Sequence, residues 1–224
     1  MAESALLGKI VLVLALCLVS ACGGEDDLLD QGPGCIESTS SSTLQPSRRV
    51  VFLGDSLTAR WHLPCEFQNR AVDGRDSEAV RAAFDREEQV LRQDILVLLV
   101  GTNDLLSRSQ PSIEAIQQVA ESAQGRGACV IVGTVPPLQP QPFTTYASAR
   151  TSQSDLDERL ARFNQDLATF ALSRGFWLAD YNSALVDSGG QQRAGLFNAD
   201  GIHPNRRGHE AMFGVLSPLL TGCE

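Results

Sequence analysis

Ser56 and His203 are the residues of this chain whose types could together carry out acyl transfer. A serine hydroxyl acts as a nucleophile when a base takes its proton and a further group orients that base. Asp200 precedes His203 by three residues, a spacing that lets one tight turn direct both side chains at the same site. The three residues therefore predict a nucleophile, a base and an orienting carboxylate.

The alternatives to this interpretation are structural roles for the same residue types. An Asp or Ser that follows a strand is often a helix N-cap, and this role is open to both Asp55 and Ser56. His62 follows Ser56 too closely and lies beside Trp61, and His209 falls within the predicted last helix. We interpret both of these histidines as structural.

The elements that must position the side chains are short buried strands that end in polar residues. An apolar run at 50–53 ends at Gly54 and is followed at once by Asp55 and Ser56, and a second run covers 95–100. Runs without alternation are typical of parallel strands that are covered on both faces. Open α/β sheets bind ligands where such strands end, so the sequence predicts the site at this edge.

Strand-like and helix-like segments alternate along the rest of the chain. Parallel neighbours in a sheet need crossover helices, and such crossovers are right-handed. The sequence therefore predicts an α/β fold, a three-layer α/β/α sandwich around a five-stranded parallel sheet, without an internal repeat or a second domain. The predicted strands lie within 50–54, 65–74, 95–100, 128–132 and 176–179, and the predicted helices at 77–93, 111–124, 155–173 and 205–220.

Composition and charge limit the choice of partners. The chain has 224 residues, of which 43% are hydrophobic and 20% charged, and this suits one domain with a buried core. Its formal net charge of -9 argues against nucleic acid or anionic lipid headgroups as the main partner, because both are negatively charged.

The first residues predict export and lipid anchoring. An apolar run at 10–19 is too short to span a bilayer core of about 30 Å, but it fits the core of a secretory signal. Its end resembles a bacterial lipobox, in which small residues precede a Cys that is lipidated, here Cys22. We predict a lipoprotein signal peptide at 1–21, a flexible tether at 22–48 and a globular domain at 49–224, held at the bacterial cell envelope by the lipid.

Four cysteines remain besides those of the signal and the predicted lipidation site. An even number in an exported protein suggests two disulfides, and four cysteines allow three pairings. Their spacing lacks the close pairs of a metal site, so no metal is expected. Of the three pairings we favour Cys35 with Cys65 and Cys129 with Cys223, all toward the edge where the strands begin.

Four segments resemble, in order and approximate spacing, the four sequence blocks of the SGNH or GDSL hydrolases. They are Gly54-Asp55-Ser56-Leu57, residues 69–74, Gly101-Thr102-Asn103-Asp104 and Asp200-Gly201-Ile202-His203-Pro204. The resemblance covers residues 49–220 and implies a flavodoxin-like topology. It also implies a serine esterase that needs no metal or organic cofactor.

The resemblance implies roles for individual residues. Ser56 would be the nucleophile, His203 the general base, and Asp200 the group that holds the imidazole tautomer. The backbone N–H groups of Ser56 and Gly74 and the side-chain amide of Asn103 would form an oxyanion hole, which stabilises the charge that develops on the substrate oxygen.

Other residues around these blocks are expected to hold and cover the site. Asp55 is expected to cap the following helix or to bond the backbone of a neighbouring loop, and Asp104 to fix the loop that carries Asn103. The segment 137–151 is rich in Pro, Gln and Ser and is long enough to lie over the strand ends. It is therefore a candidate substrate lip.

The predicted function is hydrolysis of carboxylic esters or thioesters through an acyl-enzyme on Ser56. One alternative is a carbohydrate acetylesterase, since the groups that select the substrate do not form readable motifs. An alternative of another class is a surface lipoprotein that binds glycan or lipid without turnover, against which the combined presence of Ser56, Asp200 and His203 argues. We expect a monomer that acts on a small-molecule, glycan or lipid ester.

Overall fold

A parallel sheet of five strands forms the centre of the computed structural model, which describes residues 46–86, 94–107, 111–141 and 152–224. The strand order is β2-β1-β3-β4-β5, and all neighbours are parallel. This result confirms the predicted α/β fold. The strands are β1 (Val50–Gly54), β2 (Gln68–Asn69), β3 (Ile95–Leu99), β4 (Cys129–Gly133) and β5 (Trp177–Ala179).

Helices flank the sheet. Helix α2 packs against α4 and α4 against α5, whereas α6 packs against α7. In the described part of the chain, no helix combines the length and the apolar character that a membrane crossing requires. The helices are α1 (Ser56–Ala59), α2 (Ser77–Arg86), α3 (Thr102–Ser107), α4 (Ile113–Gly125), α5 (Gln153–Arg174), α6 (Tyr181–Leu185) and α7 (Arg206–Gly222).

The register of β1 and β3 brings the ends of these two strands to the same level. Both strands are buried along their whole length, as their continuous apolar runs predict. Val50 pairs with Ile95 and Gly54 with Leu99. The residues that follow β1 and those that follow β3 therefore lie side by side, at the point where the strand order reverses direction and where sheets of this kind bind ligands.

Three elements differ from the sequence prediction. Helices α3 and α6 were not predicted, because runs of six and five residues are too short to show a helical period. The strand predicted within 65–74 is confined to β2, since after Asn69 the chain turns so that the Val72 N–H donates to the carbonyl of Gly54. The predicted helix at 77–93 begins at Ser77, and its residues 87–93 lie outside the described part.

The described chain begins at the edge of the sheet where the strands start. Arg48 donates to the backbone carbonyls of Cys223, Asp94 and Gly127, which lie at the end of α7 and just before β3 and β4. Ser47 donates to the side chain of Glu224 at the other end of the chain. These bonds attach the start of the described chain firmly to this edge.

One of the two predicted disulfides is confirmed. Cys129 and Cys223 are joined, with Cα atoms 5.8 Å apart and 94 residues between them in sequence. Cys65 is also disulfide-bonded. Its predicted partner Cys35 lies outside the described residues, as do the predicted lipidation site Cys22, the signal peptide and most of the tether.

Candidate active site

Ser56, His203 and Asp200 lie in hydrogen-bond contact at the edge where the strands end. Ser56 begins α1 directly after β1, and its Oγ atom is 2.9 Å from Nε2 of His203. On the other side of the ring, Nδ1 of His203 is 2.6 Å from Oδ2 of Asp200. Ser56 is 4% and His203 3% exposed. The structure thus brings together the three residues predicted as nucleophile, base and orienting group.

The surroundings of Asp200 keep its carboxylate ionised. Its Oδ1 accepts the backbone N–H groups of Ile202 at 2.9 Å and His203 at 3.0 Å. Partial burial acts to raise the pKa of Asp200, but the hydrogen bonds from His203 and Ile202 outweigh it and lower the pKa to about 2. At neutral pH Asp200 can only accept, so it favours the tautomer with the proton on Nδ1 and leaves Nε2 of His203 to face Ser56.

The turn that carries Asp200 and His203 needs a glycine and is held by a neighbouring loop. Gly201 has a φ of +68°, and a Cβ there would lie 1.9 Å from the carbonyl oxygen of Gln139. The N–H of Gln139 donates to Gly201 O at 2.8 Å, and the N–H of Gln141 donates to Asp200 O at 3.0 Å. The loop after β4 therefore fixes the turn. The rest of the predicted substrate lip, residues 142–151, lies outside the described part.

Asp55 positions the nucleophile without touching its hydroxyl. Its Oδ1 accepts the N–H of Leu57 at 3.0 Å and caps α1, while Oδ2 accepts the N–H of Thr102 at 3.2 Å. Both roles expected for Asp55 are confirmed. Complete burial raises the pKa of Asp55 to about 6, although the bonds from Leu57 and Thr102 act in the opposite direction. One buried carboxyl group thus joins the start of α1 to the start of α3.

Three candidate donors for an oxyanion surround the end of β1. The hydrogen bonds of the described residues leave the N–H groups of Ser56 and Gly74 without an acceptor. Asn103 uses one amide hydrogen on the carbonyl of Arg75 at 2.9 Å, so the other stays available. The same bond, together with that between Val72 and Gly54, ties the Gly74 loop to the ends of β1 and β3.

Asp104 holds the loop that carries Asn103, as expected. Its Oδ1 accepts the hydroxyl of Ser77 at 2.8 Å, and its Oδ2 accepts the N–H of the same residue at 3.0 Å. Burial raises the pKa of Asp104, and the bonds from Ser77 oppose that change. Helices α2 and α3 are therefore joined at their first turns, which fixes the backbone next to Asn103.

Arg60 is a charged residue of the site that was not predicted from the sequence. Its Nη1 is 3.5 Å from Nδ1 of His203, and its Nε and Nη2 donate to Oδ2 of Asp73 at 2.9 and 2.7 Å. Arg60 follows Ser56 by four residues, one helical turn. That spacing was the available signal, because residues four apart lie on the same side of a helix.

The described residues hold no cluster that suits a metal ion. Within residues 46–86, 94–107, 111–141 and 152–224, no three His, Cys, Asp or Glu side chains come together in a suitable arrangement. Four charged or titratable side chains at the site are instead paired with one another: Asp200 with His203, and Arg60 with Asp73.

His209 lies in the core and makes no hydrogen bond to Ser56. Its ring stacks on Trp61 with centroids 5.6 Å apart, and neither ring nitrogen has a hydrogen-bond partner among the described residues. Burial lowers the pKa of His209 to about 3, and the nearby His62 and His203 act in the same direction. His209 is thus a neutral part of the core at physiological pH.

Replacing His209 with Phe is expected to stabilise the protein most under acid conditions. The unfolded chain binds a proton at its ordinary pKa of 6.5, whereas the folded chain resists it until about pH 3. As the pH falls through this window, the wild type loses about 1.4 kcal/mol of unfolding free energy per pH unit from this residue. The advantage of His209→Phe over wild type should therefore grow by about 2 to 3 kcal/mol between pH 6 and pH 4, as measured by urea denaturation.

His62→Phe is the matched control, because His62 is only partly buried. Asp55 raises the free energy of unfolding as the pH falls from 6 to 3.8, because its raised pKa makes the folded state bind the proton first. The free energy of unfolding is therefore compared between the variants at each pH, and not between pH values for one variant. An equal difference between His209→Phe and wild type at pH 6 and pH 4 would contradict the prediction.

Comparison with known proteins shows the family to which the chain belongs. Residues 52–211 match the model of the GDSL-like lipase/acylhydrolase family. The chain belongs to this family and is a hydrolase of the esterase type. Among proteins with curated descriptions, none matches the chain in sequence.

Solved structures of several bacterial proteins share the fold. A GDSL-like lipase from Bacteroides thetaiotaomicron is 19% identical, with a TM-score of 0.63 over 83% of this chain and 93% of that one. A member of the lipolytic G-D-S-L family from Veillonella parvula is 18% identical, with a TM-score of 0.62 over 78% and 99%. The lipase/acylhydrolase of Enterococcus faecalis is 17% identical, with a TM-score of 0.59 over 78% and 96%.

Proposed function

We propose that the protein hydrolyses carboxylic esters or thioesters through a covalent acyl-enzyme on Ser56. The observation that carries the proposal is the continuous chain of contacts from Ser56 Oγ to His203 Nε2 at 2.9 Å and from His203 Nδ1 to Asp200 at 2.6 Å. A hydroxyl, an imidazole and an ionised carboxylate in this order are the parts that a serine nucleophile needs.

In the first half of the reaction, His203 Nε2 takes the proton of Ser56 as Oγ bonds to the carbonyl carbon of the substrate. The imidazolium that forms is stabilised by Asp200, which remains ionised because its pKa is about 2. The tetrahedral intermediate collapses as the bond from carbon to the leaving oxygen or sulfur breaks. The proton on Nε2 passes to the leaving group, and the acyl-enzyme remains.

In the second half, a water molecule takes the place of the leaving group. Its proton goes to His203 Nε2 while its oxygen bonds to the acyl carbon, and the second tetrahedral intermediate breaks its bond to Ser56 Oγ. The proton then returns from Nε2 to Oγ, and the carboxylic acid is released. The base that served the first half therefore acts again without a further catalytic group.

The charge on the substrate oxygen is assigned to three donors. The N–H groups of Ser56 and Gly74 have no acceptor among the described residues, and Asn103 keeps one amide hydrogen free. The loop bonds around Asn103 and Gly74 hold these groups before substrate arrives, which is the condition under which such donors are effective. Each donor is expected to contribute about 10² to 10³ in rate.

A fluorophosphonate probe and a short p-nitrophenyl ester test the proposal together. The probe should form one adduct per chain, and peptide mapping should locate it on Ser56, because His203 activates that hydroxyl alone. The labelled protein should lose its activity toward the ester in proportion to the label.

Ser173→Ala is the control, since Ser173 donates its hydroxyl to the carbonyl of Phe170 at 2.8 Å and lies at the end of α5, toward the edge where the strands begin and opposite to the site. This variant should label and turn over like wild type. An adduct elsewhere, or turnover by the fully labelled protein, would show that Ser56 is not the nucleophile.

A further inference from the structure

Arg60 and Asp73 form an ion pair that joins three parts of the site. The N–H of Arg60 donates to the carbonyl of Ser56 at 3.1 Å, so its backbone closes the helical turn that the nucleophile begins. Asp73 directly precedes Gly74, the candidate oxyanion donor. Through its guanidinium, Arg60 therefore connects helix α1 to the Gly74 loop and lies beside His203.

The geometry at the guanidinium leaves one nitrogen directed at the base. Nε and Nη2 of Arg60 both donate to Oδ2 of Asp73, at 2.9 and 2.7 Å. Nη1 is 3.5 Å from Nδ1 of His203. Because Nδ1 already faces Asp200 at 2.6 Å, it has no free lone pair for Arg60 when it carries its proton. The contact between Arg60 and His203 is therefore one of charge and packing.

The ion pair of Arg60 with Asp73 differs from an ordinary surface pair in what lies beside it. The pair of Arg206 with Glu210 lies within one helix, and its two side chains are 80% and 62% exposed. The pair of Arg60 with Asp73 joins residues of two different elements and is 49% and 50% exposed. Its cation is placed against a buried imidazole and not against solvent alone.

We propose that Arg60 is a positioning residue for the base: its cation, held in place by Asp73, opposes the binding of a second proton by His203 and so keeps the base active at lower pH. This inference rests on the proposed function. The carboxylate of Asp200, which contacts the same ring nitrogen, acts in the opposite direction, and Arg60 limits that effect. The charged or titratable groups that face His203 are Asp55, Arg60, Asp200 and His209, with Asp73 behind Arg60.

The test compares the pH profiles of kcat/KM for a soluble ester in wild type, Arg60→Gln, Arg60→Lys and Arg174→Gln. The acidic limb reports protonation of the base in the free enzyme. In Arg60→Gln it should move to higher pH by about one unit at low salt, the size expected for a well-solvated charge at this distance. The shift should shrink in 1 M salt, where charges are screened within about 3 Å.

Arg60→Lys keeps the positive charge but loses the paired donors that Arg60 directs at Asp73. Because the charge remains, its acidic limb should return toward that of wild type. Arg174→Gln removes an equally charged and similarly exposed side chain, which pairs with Glu121 at the end of α5 where the strands begin, and it should leave the limb unchanged. Circular dichroism and fluorophosphonate labelling of all variants check that fold and nucleophile persist.

The inference would be overturned if the acidic limbs of Arg60→Gln and wild type coincided. It would also be overturned if Arg60→Lys moved the acidic limb as far as Arg60→Gln does. Both results presuppose an active wild type. Absence of turnover and labelling in the wild type itself would instead refute the proposed function, so the two failures are distinguishable.

Discussion

Replacing Asp200 with Asn is expected to lower kcat for ester hydrolysis by about 10⁴-fold while the protein stays folded. The amide oxygen of Asn can still accept the N–H groups of Ile202 and His203, which now bond to Oδ1 of Asp200. Its NH₂ group then faces Nδ1 of His203. Two donors cannot share that contact, so the ring proton moves to Nε2, and the base no longer has a lone pair for Ser56.

Asp187→Asn is a matched control for this substitution. Asp187 also uses one carboxylate oxygen to accept two backbone N–H groups, those of Gly189 at 2.8 Å and Gln191 at 3.1 Å, but it does so in an exposed turn. Steady-state kinetics of both variants measure the effect on catalysis, and thermal unfolding measures the effect on stability. A loss of less than tenfold in kcat for Asp200→Asn would show that Asp200 does not select the tautomer of His203.

Replacing Gly54 with Ala is expected to destabilise the protein by about 3 kcal/mol. Gly54 is the last residue of β1, and a Cβ there would lie 2.0 Å from the backbone oxygen of Leu99. That oxygen belongs to the paired strand β3 and also accepts the N–H of Asp55. Neither strand can move away without breaking the sheet at the site, so the midpoint of thermal unfolding should fall by about 10 °C.

Gly214→Ala is the control for this change, because it is the same substitution at an open position. Gly214 lies inside α7, and a Cβ there would meet no atom within 4 Å. Ala is the better helix former, so this variant should gain up to about 1 kcal/mol. The two Gly→Ala variants should therefore move the unfolding midpoint in opposite directions. Wild-type stability in Gly54→Ala would contradict the steric explanation.

The predictable part of the fold is the part with long or strongly apolar segments. Strands β1, β3 and β4 were evident as continuous apolar runs, and α5 from its regular spacing of large side chains. The edge strand β2 pairs over only two residues, Gln68 and Asn69, neither of which is apolar. Such an element is formed by its neighbour β1 and not by its own sequence, so no local pattern could define its length.

The predictable part of the site is the set of residue types. Asp200 and His203 could be paired from their spacing in the sequence. Their contact with Ser56 depends on a turn that the backbone of Gln139 and Gln141 holds in place, and no sequence motif indicates these bonds. In the sequence, Arg60 looks like any surface arginine. Its contact with His203 forms because the end of α1 lies against the turn that carries Asp200 and His203. The structural role of His209 was predicted, but the sequence could not show that its buried ring lacks a hydrogen-bond partner among the described residues.

The attachment of Arg48 separates the start of the described chain from the nucleophile. Arg48 is bonded to the carbonyls of Cys223 and Gly127 at the edge where the strands begin. Ser56 lies at the opposite edge, beyond a strand of five residues that spans about 16 Å. A tag or a linker joined to residue 46 would therefore be attached at the edge of the sheet opposite to the nucleophile.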